Sequence, residues 1–414
     1  MSPTTWHKYF EESQDVAVNE ADSFRIYKSG SSGPVLVLLH GGGFSALTWA
    51  LFSASVTTMV ECRVLAIDLR GHGDTVTSND TDLSAETMAR DVGAIVEAVY
   101  QSDLPPIVLI GHSMGGAIAV HTASAELIPS LIGLAVIDVV EGTAMDALAS
   151  MQSFLHSRPS HFRSLEYAIE WCLKSSQVRN LESAKVSVPG QLKKYTDNAQ
   201  VARKYTWRID LAQTEQHWPG WFRGLSNLFL GCSVPKMLLL AGVDRLDRDL
   251  TVGQMQGKFQ MQVLPQCGHA VHEDVPDKVA EVVASFLVRH KFAEAAASFN
   301  RDMEPFGPPM PLLDVISGKV ELQDSGYGHF STISAQSKGI TWACCPPWMK
   351  DCSDTTFPNT DNTVDTDTLW HPLRDAADYI LISSKPKKAT TPLQISTLIV
   401  DTHCTEYSKG VTTQ

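Results

Sequence analysis

The chain has 414 residues, 43% of them hydrophobic and 19% charged, a composition of soluble globular proteins with room for a catalytic domain and an appendage. Its formal net charge of −13 and acidic balance argue against nucleic acid or an anionic membrane as the main partner, because both favour basic surfaces. No apolar run reaches the roughly 18 residues that span a bilayer, and the first residues lack a basic stretch followed by an apolar one. The eight cysteines show no framework spacing, so reduced thiols in the cytoplasm or nucleus are the expectation.

Taken in order, residues 1–23 read as an N-terminal arm. The core begins at 24, with short continuous apolar runs at 35–39, 64–67, 107–110 and 131–137. Strands covered by helices on both faces look like this, since neither face meets water. Helical segments alternate with them, for example 84–100, with Ser84 placed to cap it. The alternation predicts an α/β doubly wound, mostly parallel sheet over 24–141. Residues 142–231 break the rhythm with several helical patterns, four tryptophans and no convincing strand, and are expected to form a helical cap insertion. The core resumes over 232–292, with a strand at 237–240, a last strand within 259–264 and a closing helix over 276–292 that opens on Pro276. Residues 293–414 are rich in Ser and Thr with Pro pairs, and are expected to be a largely disordered tail in which 377–383 and 396–400 alone look strand-like.

Gly111-His112-Ser113-Met114-Gly115 sits between the apolar run 107–110 and a helix of small residues. A serine between glycines on a strand-to-helix turn is the arrangement that projects a nucleophilic hydroxyl above a sheet. Ser113 is therefore the candidate nucleophile, with Met114 offering one backbone N–H to an oxyanion. The second N–H is expected from His40-Gly41-Gly42-Gly43, at Gly42 or Gly43, where glycine lets the chain approach a substrate. His269 follows the last strand and is the expected general base, with His272 the near alternative. His112 is expected to turn its side chain away from the site. Two aspartates, Asp138 and Asp244, are expected to end strands at the correct edge, and fold-level reasoning leans slightly to Asp244, since the acid more often follows the later strand. A serine at the apex excludes chemistry that needs a carboxylate nucleophile there. No cofactor motif appears, and Cys344, Cys345, Cys352, His371 and Cys404 lack the paired spacing of a metal site.

The stretches His40–Gly43, Gly111–Ser124, Ile137–Leu148, Gly220–Ser226, Ala241–Asp247 and Leu264–Asp274 closely resemble eukaryotic protein phosphatase methylesterases. The likeness spans about 6–292. It implies an α/β-hydrolase fold and hydrolysis of the methyl ester on the C-terminal leucine of the protein phosphatase 2A catalytic subunit, with no cofactor. It also moves the third catalytic role to Asp138. Recognition of the phosphatase is expected from the tryptophan-rich insertion, with Trp171, Trp218 and Trp221 as substrate-binding candidates. A broad small-molecule carboxylesterase and a phosphatase-binding regulator with secondary catalysis are the alternatives. Members often carry a long polar insertion in the cap; here 185–205 is short, and the tail after 293 matches nothing in the family.

Overall fold

The computed structural model describes residues 1–195, 204–242, 246–265, 267–297, Phe299 and the strand segments Ile340–Thr341, Ala377–Ser384 and Ile395–Asp401. Contacts divide the chain into two units, Met1–Glu304 and Pro305–Gln414.

In the first unit the chain opens with a hairpin, β1 (Glu12–Ala17) and β2 (Ser23–Ser29). It continues through β3 (Val35–Leu39), helix α1 (Ala50–Met59), β4 (Arg63–Ile67), α2 (Ala85–Tyr100), β5 (Ile107–His112), α3 (Met114–Ser124) and β6 (Leu131–Ile137). Next come α4 (Glu141–Ser157), β7 (His161–Phe162), α5 (Leu165–Lys174), α6 (Leu181–Gly190), β8 (Leu192–Tyr195) and β9 (Lys204–Trp207). After a 3₁₀ segment at Leu211–His217 come α7 (Trp218–Phe222), α8 (Leu225–Gly231), β10 (Lys236–Leu240) and α9 (Arg248–Met255). Strand β11 (Gln260–Val263), α10 (Val271–Asp274) and α11 (Pro276–Arg289) close the unit.

Eight of these strands form one sheet in the order β1-β2-β4-β3-β5-β6-β10-β11, antiparallel at the β1–β2 and β2–β4 pairs and parallel from β4 onward. The apolar runs alternate between two cores, as a period of two residues requires. Val35, Val37 and Leu39 of β3 pack on one face with α2, α3 and α8, while Leu36 and Leu38 pack on the other with α1 and α11. Both faces are covered, so the pattern reads as continuous rather than alternating. Ser84 caps α2 by accepting the Thr87 amide, and Pro276 opens α11. That packing brings the C-terminal ends of β3, β5, β6 and β11 to one edge.

Two expectations change. Residues 12–17 lie in the expected N-terminal arm yet form β1, an edge strand that exposes Glu12, Gln14 and Asp15. An edge strand needs little apolar signal because one side faces water. The insertion, expected to hold no strand, contains an antiparallel sheet in the order β7-β9-β8. These strands are two to four residues long and mostly polar, too short to show a period.

The insertion has its own apolar centre, in which Phe162, Ile169, Cys172, Val188 and Leu192 surround Phe44 and Ala270 from the two loops at the sheet edge. Its last part behaves otherwise. Trp218, Trp221, Leu225 and Phe229 belong to the core that covers α3. The Glu141 carboxylate at the start of α4 accepts the amides of Gly224 (2.7 Å) and Ser226 (3.2 Å), which makes the Gly220–Ser226 motif a splice between α4 and α8.

Past 292 the chain continues along the body: the amide of Glu61 donates to Glu294, that of Ala296 donates to Met59, and Phe299 is buried. In the second unit, β12 (Ile340–Thr341), β13 (Ala377–Ser384) and β14 (Ile395–Asp401) form an antiparallel sheet, the last two at the segments expected to be strands. The rest of the expected disordered tail, with Cys344, Cys345, Cys352, His371 and Cys404, lies outside the described residues. Cys62, Cys172, Cys232 and Cys267 are free thiols. Among the described residues no helix is long and apolar enough to cross a membrane.

Candidate active site

The turn after β5 is tight for steric reasons. A Cβ added at Gly111 would lie 2.2 Å from the Gly115 carbonyl oxygen, and one at Gly115 would lie 2.4 Å from that of His40. Both obstacles are backbone, which has nowhere to move. Gly115→Ala is therefore expected to cost about 3 kcal/mol or more, the range of severe packing faults, seen as a lower denaturant midpoint. An unchanged midpoint would contradict this account of the turn.

Between those glycines Ser113 takes φ 52° and ψ −121°, a region that side chains rarely occupy and that survives only where surroundings enforce it. Asp138, the residue after β6, also has a positive φ, 51°. The loop after β11 delivers His269. The Ser113 hydroxyl lies 2.9 Å from His269 Nε2, and His269 Nδ1 lies 2.7 Å from Asp138 Oδ2. The other carboxylate oxygen of Asp138 accepts the Ala241 amide at 3.0 Å. Asp138 is fully buried, whereas the His269 side chain is 52% exposed. The carboxylate thus faces the imidazole in a dry setting, where its charge acts strongly, and the serine side is open to solvent.

The His269 loop is held from behind. Asp274 accepts the amide of Gly268 (2.7 Å) and that of Arg179, ahead of α6 (2.8 Å). His272, the alternative base, is fully buried and bonds through Nε2 to the Thr48 hydroxyl at 2.8 Å, so it is turned into the fold and away from Ser113. Asp244, the alternative acid, lies outside the described residues.

The other half of the site is the turn after β3. Gly42 and Gly43 are its centre, closed by the Phe44 amide donating to Gly41. Gly43 has φ +80°, and its amide donates to His72 Nε2 at 3.0 Å. That amide is already taken, which turns the expected Gly42-or-Gly43 choice toward Gly42. A Cβ at Gly42 would touch the Met114 side chain at 3.8 Å, so the two segments are neighbours. Leu211 lies over this turn, within 2.7 Å of where a Gly43 Cβ would be. Sequence reasoning missed Leu211, since a lone leucine outside any periodic pattern carries no signal.

Two tryptophans expected at a substrate surface are packing residues instead. Trp218 and Trp221 are each 3% exposed, with their indole N–H groups donating to Thr214 Oγ1 (2.8 Å) and the Leu83 carbonyl (2.6 Å). Their nonpolar area closes the layer over α3, where it contributes more than it would in water. Trp171 is half-buried in an aromatic cluster with Phe162 and Trp207.

Four histidines around the site are buried and held neutral. The His40 ring accepts the Leu69 amide through Nε2 and donates from Nδ1 to Gly41, which fixes one tautomer. Burial pushes His72 down to about 4 and His272 down to about 3, and His40 and His112 well below their ordinary value. In the opposite sense, burial pushes Glu273 up to about 8 and Asp68 up to about 6.

Below about pH 6.5 the unfolded chain binds protons on four histidines that the fold refuses, while the fold retains protons on two carboxyls that the unfolded chain releases. The histidines outnumber the carboxyls there, so stability drops as pH falls from about 6.5 toward 5. Above about pH 7, Glu273 outweighs the histidines and stability drops as pH rises toward 8. Melting temperature is expected to peak near about pH 7. A midpoint that is flat or rising from pH 6.5 to 5 would contradict this.

Residues 36–282 match the model of the alpha/beta hydrolase family. Over 72% of this chain, the sequence is 61% identical to protein phosphatase methylesterase 1 of Bos taurus, covering 89% of that protein. The chain belongs to the protein phosphatase methylesterases of the alpha/beta hydrolase family. It is 54% identical to the probable protein phosphatase methylesterase 1 of Caenorhabditis elegans over 71% of this chain and 79% of that one. With the Schizosaccharomyces pombe protein phosphatase methylesterase 1 it shares 40% over 70% and 86%. Among solved structures, E-2-(acetamidomethylene)succinate hydrolase superposes with a TM-score of 0.56 at 16% identity, over 67% of this chain and 99% of that one. The thioesterase domain from the curacin biosynthetic pathway gives 0.51 at 19%, with the same coverages. These two likenesses concern the fold alone. As a member of the methylesterase family, the chain is a carboxylic ester hydrolase.

Proposed function

We propose that the chain removes the methyl ester from the C-terminal leucine of the protein phosphatase 2A catalytic subunit, through an acyl-enzyme on Ser113. The observation that carries this reading is the unbroken hydrogen-bond chain Ser113–His269–Asp138 at the open edge of the sheet. The names of its relatives supply the substrate class.

As Ser113 Oγ bonds to the ester carbonyl carbon, its proton passes to His269 Nε2, and Asp138 steadies the imidazolium through Nδ1–H. The carbonyl oxygen, now an oxyanion, receives the amides of Met114 and Gly42. Met114 is the first residue of an eleven-residue helix, whose N-terminal dipole also favours negative charge. The C–O bond to the methoxy group breaks as His269 returns the proton, and methanol leaves. Water then attacks the acyl carbon, giving its proton to His269. The bond to Oγ breaks, Ser113 recovers its proton, and the leucine carboxylate departs.

A methyl group offers little to bind, so most affinity must come from the phosphatase tail and surface. The test is competition between substrates. Methylated phosphatase 2A catalytic subunit is expected to lose its ester with a kcat/KM at least about 10²-fold above that of p-nitrophenyl acetate. Turnover of the aryl ester without loss of the methyl ester would overturn the proposal in favour of a broad carboxylesterase.

A further inference from the structure

His112 immediately precedes the nucleophile, and its side chain does not turn away from the site as its place in the turn suggests. Its ring is fully buried, and its Nε2 lies 2.8 Å from the carbonyl oxygen of His269, 157 positions along the chain. A carbonyl only accepts, so Nε2 carries the proton and donates. The ring's other nitrogen, Nδ1, has no hydrogen-bond partner among the described residues and abuts Gly41, where an added Cβ would come within 2.8 Å of it. A second proton has no acceptor there.

The ring is braced on three sides. Phe44 meets it edge-on at 5.7 Å, the His269 ring lies at 4.8 Å and the His272 ring at 4.4 Å. His272 is fixed in turn through the Thr48 hydroxyl, which donates to the Glu273 carboxyl, and Ser187 donates to the other oxygen of that carboxyl at 2.8 Å.

From this arrangement we infer that His112 is a positioning residue for the general base. It ties the backbone of His269 to the residue whose peptide bond leads into Ser113. Through the sheet backbone alone, nucleophile and base are joined across the four strands β5, β6, β10 and β11; the Asp138–His269 bond shortens that path from the acid side. The His112 bond spans the gap in one contact to the His269 backbone, so a rigid ring helps to fix the Ser113–His269 separation where Asp138 holds only the imidazole. Proton transfer in both halves of the reaction needs that separation kept within hydrogen-bond reach, and small errors there are costly. His112 makes no hydrogen bond to the Ser113 hydroxyl or to the His269 ring, so its effect is carried by the His269 backbone. The inference rests on the reading of Ser113 and His269 as nucleophile and base.

Three variants test it, assayed on a peptide ending in leucine methyl ester. His112→Leu keeps bulk and removes the donor. His112→Gln places an amide N–H near the position of Nε2, and His112→Asn carries the same amide on a stem too short to reach. His112→Leu is expected to lower kcat about 10²-fold with KM within about twofold of the parent, the pattern of a misplaced catalytic group. His112→Gln is expected to recover kcat to within about fivefold of the parent, and His112→Asn to resemble His112→Leu. Circular dichroism and melting curves establish which variants fold.

A folded His112→Leu with kcat within about threefold of the parent, or equal kcat for the Gln and Asn variants, overturns the inference. Should the Leu variant fail to fold, the Gln-to-Asn comparison decides alone. Ser113→Ala run alongside separates the two claims. Turnover surviving in that variant defeats the underlying reading, while its loss together with a fully active His112→Leu defeats only the positioning role.

Discussion

Ser113→Ala is expected to lower kcat for methyl-ester hydrolysis by about 10⁵-fold or more, while the melting temperature stays within a degree or two of the parent. The hydroxyl is the only group on that side chain able to bond to the carbonyl carbon, and no other nucleophile among the described residues bonds to His269 Nε2. The amides of Met114 and Gly42 are expected to keep a residual rate by acting on water attack, so the loss should stop short of the uncatalysed rate. Folding should survive because the glycines on either side, and not the hydroxyl, make the turn possible. Phosphatase binding should survive as well, because the contacts that give affinity are expected to lie outside the reacting atoms. Steady-state kinetics on methylated phosphatase, with a melting curve and a pull-down of the same preparation, measure all three. Turnover within about tenfold of the parent would reject Ser113 as the nucleophile.

Asp138→Asn is expected to lower kcat by about 10⁴-fold with a modest effect on KM. The substitution keeps size and keeps an oxygen for the Ala241 amide, so the change is chemical rather than steric. With an amide facing it, His269 Nδ1 becomes the acceptor and its proton moves to Nε2. That nitrogen then points a hydrogen at the Ser113 hydroxyl and cannot take one from it. The imidazolium formed during attack also loses a buried counter-charge 2.7 Å away. A variant keeping more than about a tenth of parental kcat would remove Asp138 from the mechanism and return attention to Asp244.

The two aspartates show how far the sequence goes. Each follows an apolar run in the sequence, and fold-level reasoning leans slightly to Asp244; family likeness moves the choice to Asp138, and the fold brings that carboxylate against His269. The sheet was legible because β3, β5 and β6 are buried on both faces and leave unbroken apolar runs. Strand β1 was not, being a polar edge strand, and neither were β7 to β9, which are two to four residues long and mostly polar. Tryptophan content pointed to a recognition surface, but burial depends on packing that composition does not encode. Trp221 finds its acceptor at Leu83, 138 positions away, and becomes core. His112 was misread for a related reason: its direction is set by a strained turn and a contact 157 positions distant.

If His269 makes the Ser113 hydroxyl the attacking atom, a fluorophosphonate, which phosphonylates an activated serine, should label it. Peptide mass mapping after partial labelling, with methyl-ester turnover assayed in the same samples, should find the adduct on Ser113 and activity falling in proportion to its occupancy. An adduct confined to another residue, or full turnover in chains fully labelled at Ser113, would contradict the account.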